Sequence, residues 1–258
     1  VVLRLSRGQV MPSFPVALTR LIKEHDVVQA HTPMLETWLV GLLAHRLGRR
    51  MLMTHHGDLV MPAGLWNQTV QRTVGALLSK GAQVADAISM YTHDYASHSE
   101  FLRPHLTKIA YIFPPVVFPR ADVQAANAWR QSLGLDSHPV VGFAGRFVEE
   151  KGFDYLLQAI PLVAEQLPDV RFVFAGEPNV VYEDFYEQCL PLIEAQRERL
   201  GMLGLLTDHQ QVANFYAMCD LFVLPSRTDC LASVQIEAML SGTPVVATNI
   251  PGARQAVK

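Results

Sequence analysis

The chain has 258 residues, half of them hydrophobic and 17% charged. That supplies a core for one large domain or two of ordinary size, and it excludes a disordered chain. The formal net charge of −3 gives no bulk attraction to nucleic acid.

The predicted elements alternate helix and strand. PSFPVALTRLIKEH (12–25) sets Val16, Leu18, Leu21 and Ile22 at helical spacing. DVVQAH (26–31) is a short buried strand. MLETWLVGLLAHRLG (34–48) is a second helix, with Gly48 placed as its C-cap. MLMTHH (51–56) is a strand ending in His55 and His56. WNQTVQRTVGALLSKG (66–81) is a helix expected to close at Gly81. VADAISM (84–90) and KIAYIF (108–113) are strands around a polar helix.

PPVVFPRADVQ (114–124) has three prolines and no strong period, so it reads as a linker. The pattern then restarts. PVVGFAG, VRFVFAG, LGLL (203–206), LFVLPS and PVVAT are strands. FDYLLQAIPLVAEQL, YEDFYEQCLPLIEAQRERLG (182–201), HQQVANFYAMC and a segment starting near Ala232 or Ser233 are helices. The strands are continuous apolar runs, as in parallel sheets covered on both faces. The fold class expected is therefore α/β, with two doubly wound parallel-sheet domains over residues 1–118 and 119–258. The opening VVLRL and the closing GARQAVK both read as cut mid-element, so a piece of a longer chain is expected.

Residues 1–118 carry +4 and residues 119–258 carry −7. A basic first half suits peripheral contact with anionic lipid or an acidic substrate; ordinary variation between solvated surfaces explains it as well. Cys189, Cys219 and Cys230 are odd in number and scattered, which suggests neither a disulfide framework nor a zinc site and fits a reducing, cytoplasmic setting. No apolar run reaches membrane-spanning length.

Ligands of doubly wound sheets sit beyond the carboxyl ends of the strands. There the second half reads GRFVEEKG, GEPNVV, LTDHQQ, PSRTDCLAS and TNIPG. Arg146 and Lys151 are two cations near one strand end, able to hold a diphosphate. The plain alternative pairs Arg146 with Glu149 or Glu150 and leaves Lys151 solvated. A helix starting near Ala232 offers free N–H groups to an anion. Asp229 precedes that start and Glu237 lies one turn beyond Ser233. Each of these acids also has a plain alternative, a helix-end charge for Asp229 and a surface ion pair for Glu237.

GRFVEEKG, FVFAGE, LFVLPS, Asp229-x7-Glu237 and EAMLSGTPVVAT, in this order over residues 139–253, resemble the retaining glycosyltransferases of GT-B fold, family 4 type. DVVQAHTP, MLMTHHG, ADAISM and KIAYIFPPVV resemble the same family more weakly. The resemblance implies a GT-B architecture with an acceptor-side first domain and a donor-binding second domain. It implies transfer of a hexose from a nucleotide-diphosphate sugar to a sugar or lipid-linked acceptor, with retention and no metal or other cofactor. Arg146 and Lys151 match the cations that stabilise the leaving diphosphate. Asp229 matches the first acid, against the donor sugar, and Glu237 the second, against the ribose. Gly145, Gly176 and the backbone of Leu231, Ala232 and Ser233 match the phosphate-side loops. Leu206, in LLTD, matches the segment against the base.

His56 matches a first-domain histidine that reaches the reacting sugar, and is preferred over His55. His31 also ends a strand and is given no role, and the histidine spacing offers no metal motif. The sequence departs from the family at Asp229, usually Glu, at Cys230, usually Gly, and at Ala232, usually Gly. Two other readings stay open: a non-catalytic or degenerate nucleotide-sugar binder, and a sugar-nucleotide epimerase on the same fold.

Overall fold

A computed structural model describes residues 3–5, 8–60, 64–178, 180 and 183–257. The chain divides into two compact units, Val1–Pro114 and Pro115–Lys258. The division falls inside the proline-rich segment, four residues before the expected boundary at 118.

Unit 1 begins with an antiparallel pair, β1 (Leu3–Leu5) and β2 (Gly8–Val10), which hydrophobic patterning did not reveal. Then follow α1 (Phe14–Lys23), β3 (Val27–Thr32), α2 (Thr37–Arg46), β4 (Arg50–His55), α3 (Leu65–Val84), β5 (Ala87–Met90), α4 (His93–His98) and β6 (Ile109–Tyr111). Strands β3 to β6 form one parallel sheet in sequence order. Helix α3 does not close at Gly81 but runs on to Val84. Gly81 instead lets α2 approach closely: a Cβ there would lie 2.7 Å from the Thr37 methyl. The expected C-cap Gly48 has φ +68, the left-handed value that ends α2.

Unit 2 holds α5 (Val123–Ser132), β7 (Val140–Ala144), α6 (Phe153–Gln166), β8 (Arg171–Ala175), α7 (Phe185–Ala195), β9 (Leu200–Gly204), α8 (His209–Ala217), β10 (Leu221–Leu224), α9 (Ser233–Leu240) and β11 (Val245–Ala247). Helix α5 went unread because it starts inside the proline-rich stretch that read as a linker; Asp122 caps it by accepting from the Ala125 N–H at 3.0 Å. Strand β9 starts three residues earlier than LGLL suggested, and α7 is correspondingly shorter than YEDFYEQCLPLIEAQRERLG.

The five strands of unit 2 are parallel in the order β11-β10-β7-β8-β9. This is the doubly wound order in which the chain first walks one way from β7 and then returns to its other side. The reversal leaves a crevice between the carboxyl ends of β7 and β10. The core beneath is aromatic: Phe143, Phe147, Phe153 and Phe174 are all buried and pair ring against ring.

One glycine fixes the approach of two strand-end loops. A Cβ on Gly176 would overlap the carbonyl oxygen of Gly145. Backbone therefore lies on backbone where β7 and β8 end. Gly176→Ala forces those loops apart at a cost on the order of 3 kcal/mol. Thermal unfolding reads this as a midpoint lower by several degrees; an unchanged midpoint would show that the loops can separate freely.

Candidate functional site

The unit 2 site is built on three loops. The first leaves β7 at Gly145 and ends in a 3₁₀ turn, Glu149–Lys151, before α6. Gly152 joins the two with φ +65, and a Cβ there would overlap the Pro225 carbonyl oxygen. So the loop after β7 lies directly on the loop after β10. Arg227 locks the same junction. Its guanidinium forks onto both Asp154 oxygens at 2.7 Å, lies 4.0 Å above the Tyr155 ring, and donates to the Glu149 carbonyl. Sequence reading gave Arg227 no part; its partner Asp154 is set by the fold and no local pattern marks it.

The third loop follows β11. Gly252 pairs with Asp229 as an isolated parallel bridge, and a Cβ on it would meet the Asp229 and Cys230 carbonyls at 2.5 Å. Asp229 is thus held by backbone on both sides before α9 begins. Its carboxylate accepts from Lys151 Nζ at 2.6 Å, with the two side chains 8% and 20% exposed. The fold brings together one of the expected cations and one of the expected acids, across the crevice between β7 and β10. Lys151 is therefore neither solvated nor remote. Cys230, beside this pair, has its thiol pushed up to about 11, chiefly by burial and then by Asp229. It fills space and stays protonated.

Arg146 is placed differently. Its guanidinium pairs with Glu150 at 2.6 Å, both side chains being well exposed. This is the plain pairing that the sequence allowed. Such an exposed pair is worth about 0–1 kcal/mol, so an incoming anion can displace the carboxylate.

Helix α9 starts at Ser233 with Ala232 as its N-cap. Ala232 has no side-chain oxygen to cap the first turn; its carbonyl accepts from the Gln235 N–H at 3.2 Å, and the N–H groups before it are placed to take an acceptor from outside the helix. Leu231 and Ala232 are buried and Ser233 is exposed. Leu206 packs half-buried against the core at the loop after β9. Among the described residues, Glu237, one turn into α9, pairs with no surface arginine. It accepts from the hydroxyl of Tyr216 at 3.0 Å. Tyr216 is fully buried, and that burial, followed by the nearby Glu237 charge, raises its hydroxyl above the ordinary tyrosine range. It therefore serves as a fixed donor that aims the carboxylate. Nothing in the sequence pointed to it.

In unit 1 the strand ends gather a second cluster. The registers put His31 beside Thr54 and Thr32 beside His55. His55 is buried, with Thr32 Oγ1 at 2.8 Å on one ring nitrogen and Asp58 at 3.1 Å on the other. His56 points the opposite way and is exposed. Its Nε2 lies 2.7 Å from His31 Nδ1 and its Nδ1 lies 2.5 Å from the Tyr91 hydroxyl. The two histidines divide as alternation along a strand requires, one in the core and one at the surface. His31, given no role from sequence, is a direct partner of His56. Among the described residues no group of three or more His, Cys, Asp or Glu could hold a metal ion. Nor is any described helix long and apolar enough to cross a membrane.

Residues 138–258, within unit 2, match the family described as glycosyl transferases group 1. The fold, two parallel α/β units, is of the GT-B type. Among curated relatives, the D-inositol 3-phosphate glycosyltransferase of Segniliparus rotundus is 32% identical over 90% of this chain and 53% of its own. The GDP-mannose-dependent alpha-(1-6)-phosphatidylinositol monomannoside mannosyltransferase of Mycolicibacterium smegmatis is 28% identical over 95% and 65%. The chain therefore spans about half to two thirds of these relatives. Among solved structures, Anabaena Alr3699/HepE in complex with UDP-glucose aligns with a TM-score of 0.76 at 20% identity, over 95% of this chain and 65% of that one. Sucrose-phosphate synthase from Thermosynechococcus elongatus aligns at 0.71 and 20%, over 99% and 67%. These last two show the fold.

Proposed function

We propose that this chain carries the donor site and part of the acceptor side of a retaining hexosyltransferase. Unit 2 would bind a nucleotide-diphosphate sugar and unit 1 would face a sugar or lipid-linked acceptor. The observation that carries the reading is the crevice between β7 and β10, where Lys151 meets Asp229 beside the open start of α9.

The chemistry follows from those groups. The bond between the anomeric carbon and the diphosphate oxygen breaks, and negative charge grows on the leaving phosphate. Arg146, Lys151 and the first N–H groups of α9 stabilise that charge more than they stabilise the ground state. The acceptor oxygen attacks the face that the phosphate leaves, and the departing phosphate takes its proton. Configuration is then retained. Protein cations supply the electrostatic work, so no metal is proposed. Asp229 would hold a sugar hydroxyl, one methylene shorter in reach than Glu, and Glu237 would accept from the ribose hydroxyls. His56 would reach the reacting sugar from unit 1. A cytoplasmic setting with peripheral lipid contact is part of the proposal. It draws on the +4 charge of residues 1–118 and on the exposed Leu65 and Trp66 at the start of α3.

Relatives lend support in kind: one is named for a GDP-mannose donor and one neighbour was solved with UDP-glucose. Isothermal titration with UDP, GDP and ADP, with and without Mg²⁺, tests the donor site. One of the three is expected to bind without metal and to lose affinity in Glu237→Ala. No binding of any of them would overturn the reading.

A further inference from the structure

The His31–His56–Tyr91 cluster fixes its own protons. The two histidine ring planes lie within 9° and the centroids are 5.0 Å apart. With a 2.7 Å separation between His31 Nδ1 and His56 Nε2, that spacing means the rings meet edge to edge, in line. Both ring nitrogens of His56 are therefore engaged within unit 1, one by His31 and one by Tyr91. His31 is exposed, and its Nε2 lies on the far side of its ring from His56.

Direction follows from acidity. A phenol is a stronger acid than a neutral imidazole N–H, so Tyr91 donates and His56 Nδ1 accepts. His56 must then carry its proton on Nε2 and donate to His31 Nδ1. His31 in turn must carry its proton on Nε2. We propose that His31 and His56 act as one unit, held in a single tautomer by Tyr91, which presents the His31 Nε2–H as its hydrogen-bond donor. The ligand this donor suits is an oxygen of a sugar hydroxyl or of a phosphate. The inference deepens the reading of His56 above and rests on it: the contact ascribed to His56 passes to His31, and His56 and Tyr91 become positioning residues.

The surroundings favour an uncharged His56. Partial burial, then the like charges of His31 and of His55, hold His56 below the ordinary imidazole value. His31 from β3 and Tyr91 after β5 contact its ring, and His55, on the opposite side of β4, acts on it only through its charge. With His56 uncharged, the hydrogen-bond chain that starts at Tyr91 ends in the His31 Nε2–H as a donor.

Nitrogen-15 spectra of histidine-labelled protein test the arrangement directly. Wild type should show both rings as Nε2–H tautomers. Tyr91→Phe should convert His56 to a mixture of tautomers. His31→Gln should raise the His56 titration midpoint, since it removes a like charge. Transfer assays give the second readout. His31→Leu should lower kcat about tenfold with donor KM unchanged, and His31→Gln, which keeps an amide N–H near the same place, should restore most of it. Independent titration of the two rings, with spectra unmoved in Tyr91→Phe, would overturn the proposal. So would equal kcat in His31→Leu and wild type. A wild-type rate in His56→Ala would instead remove the parent reading of this cluster, and the spectra would still decide whether the rings are coupled.

Discussion

Arg146→Ala slows sugar transfer by about 10²- to 10³-fold and leaves the thermal midpoint almost unchanged. The two halves of that expectation come from different facts. In the free protein Arg146 spends its guanidinium on Glu150, at 2.6 Å and with both side chains exposed. Losing an exposed pair costs at most about 1 kcal/mol. In the transition state the same guanidinium would face a departing diphosphate, where a two-pronged cation is worth far more. Stability and rate therefore separate. The rate is measured with whichever nucleotide sugar the titration selects, and the midpoint by calorimetry. Transfer at the wild-type rate would sink the assignment of Arg146. A large fall in midpoint would show instead that Arg146 holds the loop after β7 together.

Lys151→Ala behaves in the opposite way, because its partner is buried. Removing the ammonium leaves the Asp229 carboxylate, 8% exposed, without its cation. Breaking a buried pair from one side costs about 3–5 kcal/mol, and the 20% exposure of Lys151 places this case toward the lower end. The single variant should lose both transfer and several degrees of midpoint. The double variant Lys151→Met with Asp229→Leu removes both charges and keeps the volume, so stability should return while transfer stays lost. Calorimetry on both, beside the transfer assay, checks this. A double variant as unstable as the single one would mean that the pair is not the source of the loss. Recovery of transfer in the double variant would remove both residues from the mechanism.

Much of this site was legible from residue order alone. Gly145, Arg146, Lys151 and Asp229 fall in the loops that follow strands, and Glu237 in the helix after one, because continuous apolar runs locate the strands and strand ends locate the loops. The helix start, expected near Ala232 or Ser233, falls at Ser233, since a proline-serine loop bounds it on one side and an apolar run on the other. The misses share a physical cause. Gly81 looked like a stop and proved to be a contact, since a glycine inside a helix is read only by what packs on it. Helix α5 starts inside the proline-rich stretch that read as a linker, which hid it. Tyr216, Arg227 and His31 take their importance from partners 21, 73 and 25 residues away.

By itself the sequence determined the parallel α/β class, the run of helices and strands, and the loops that carry charge. Those properties are local: they depend on which residues are apolar and how they repeat. Only the tertiary structure decided which charges meet. The strand order that sets β10 beside β7 joins Lys151 to Asp229 across 78 residues, and the packing of α8 on α9 seats Glu237 on a buried tyrosine. Partner choice is a matter of distances through space, and no single stretch of chain contains them.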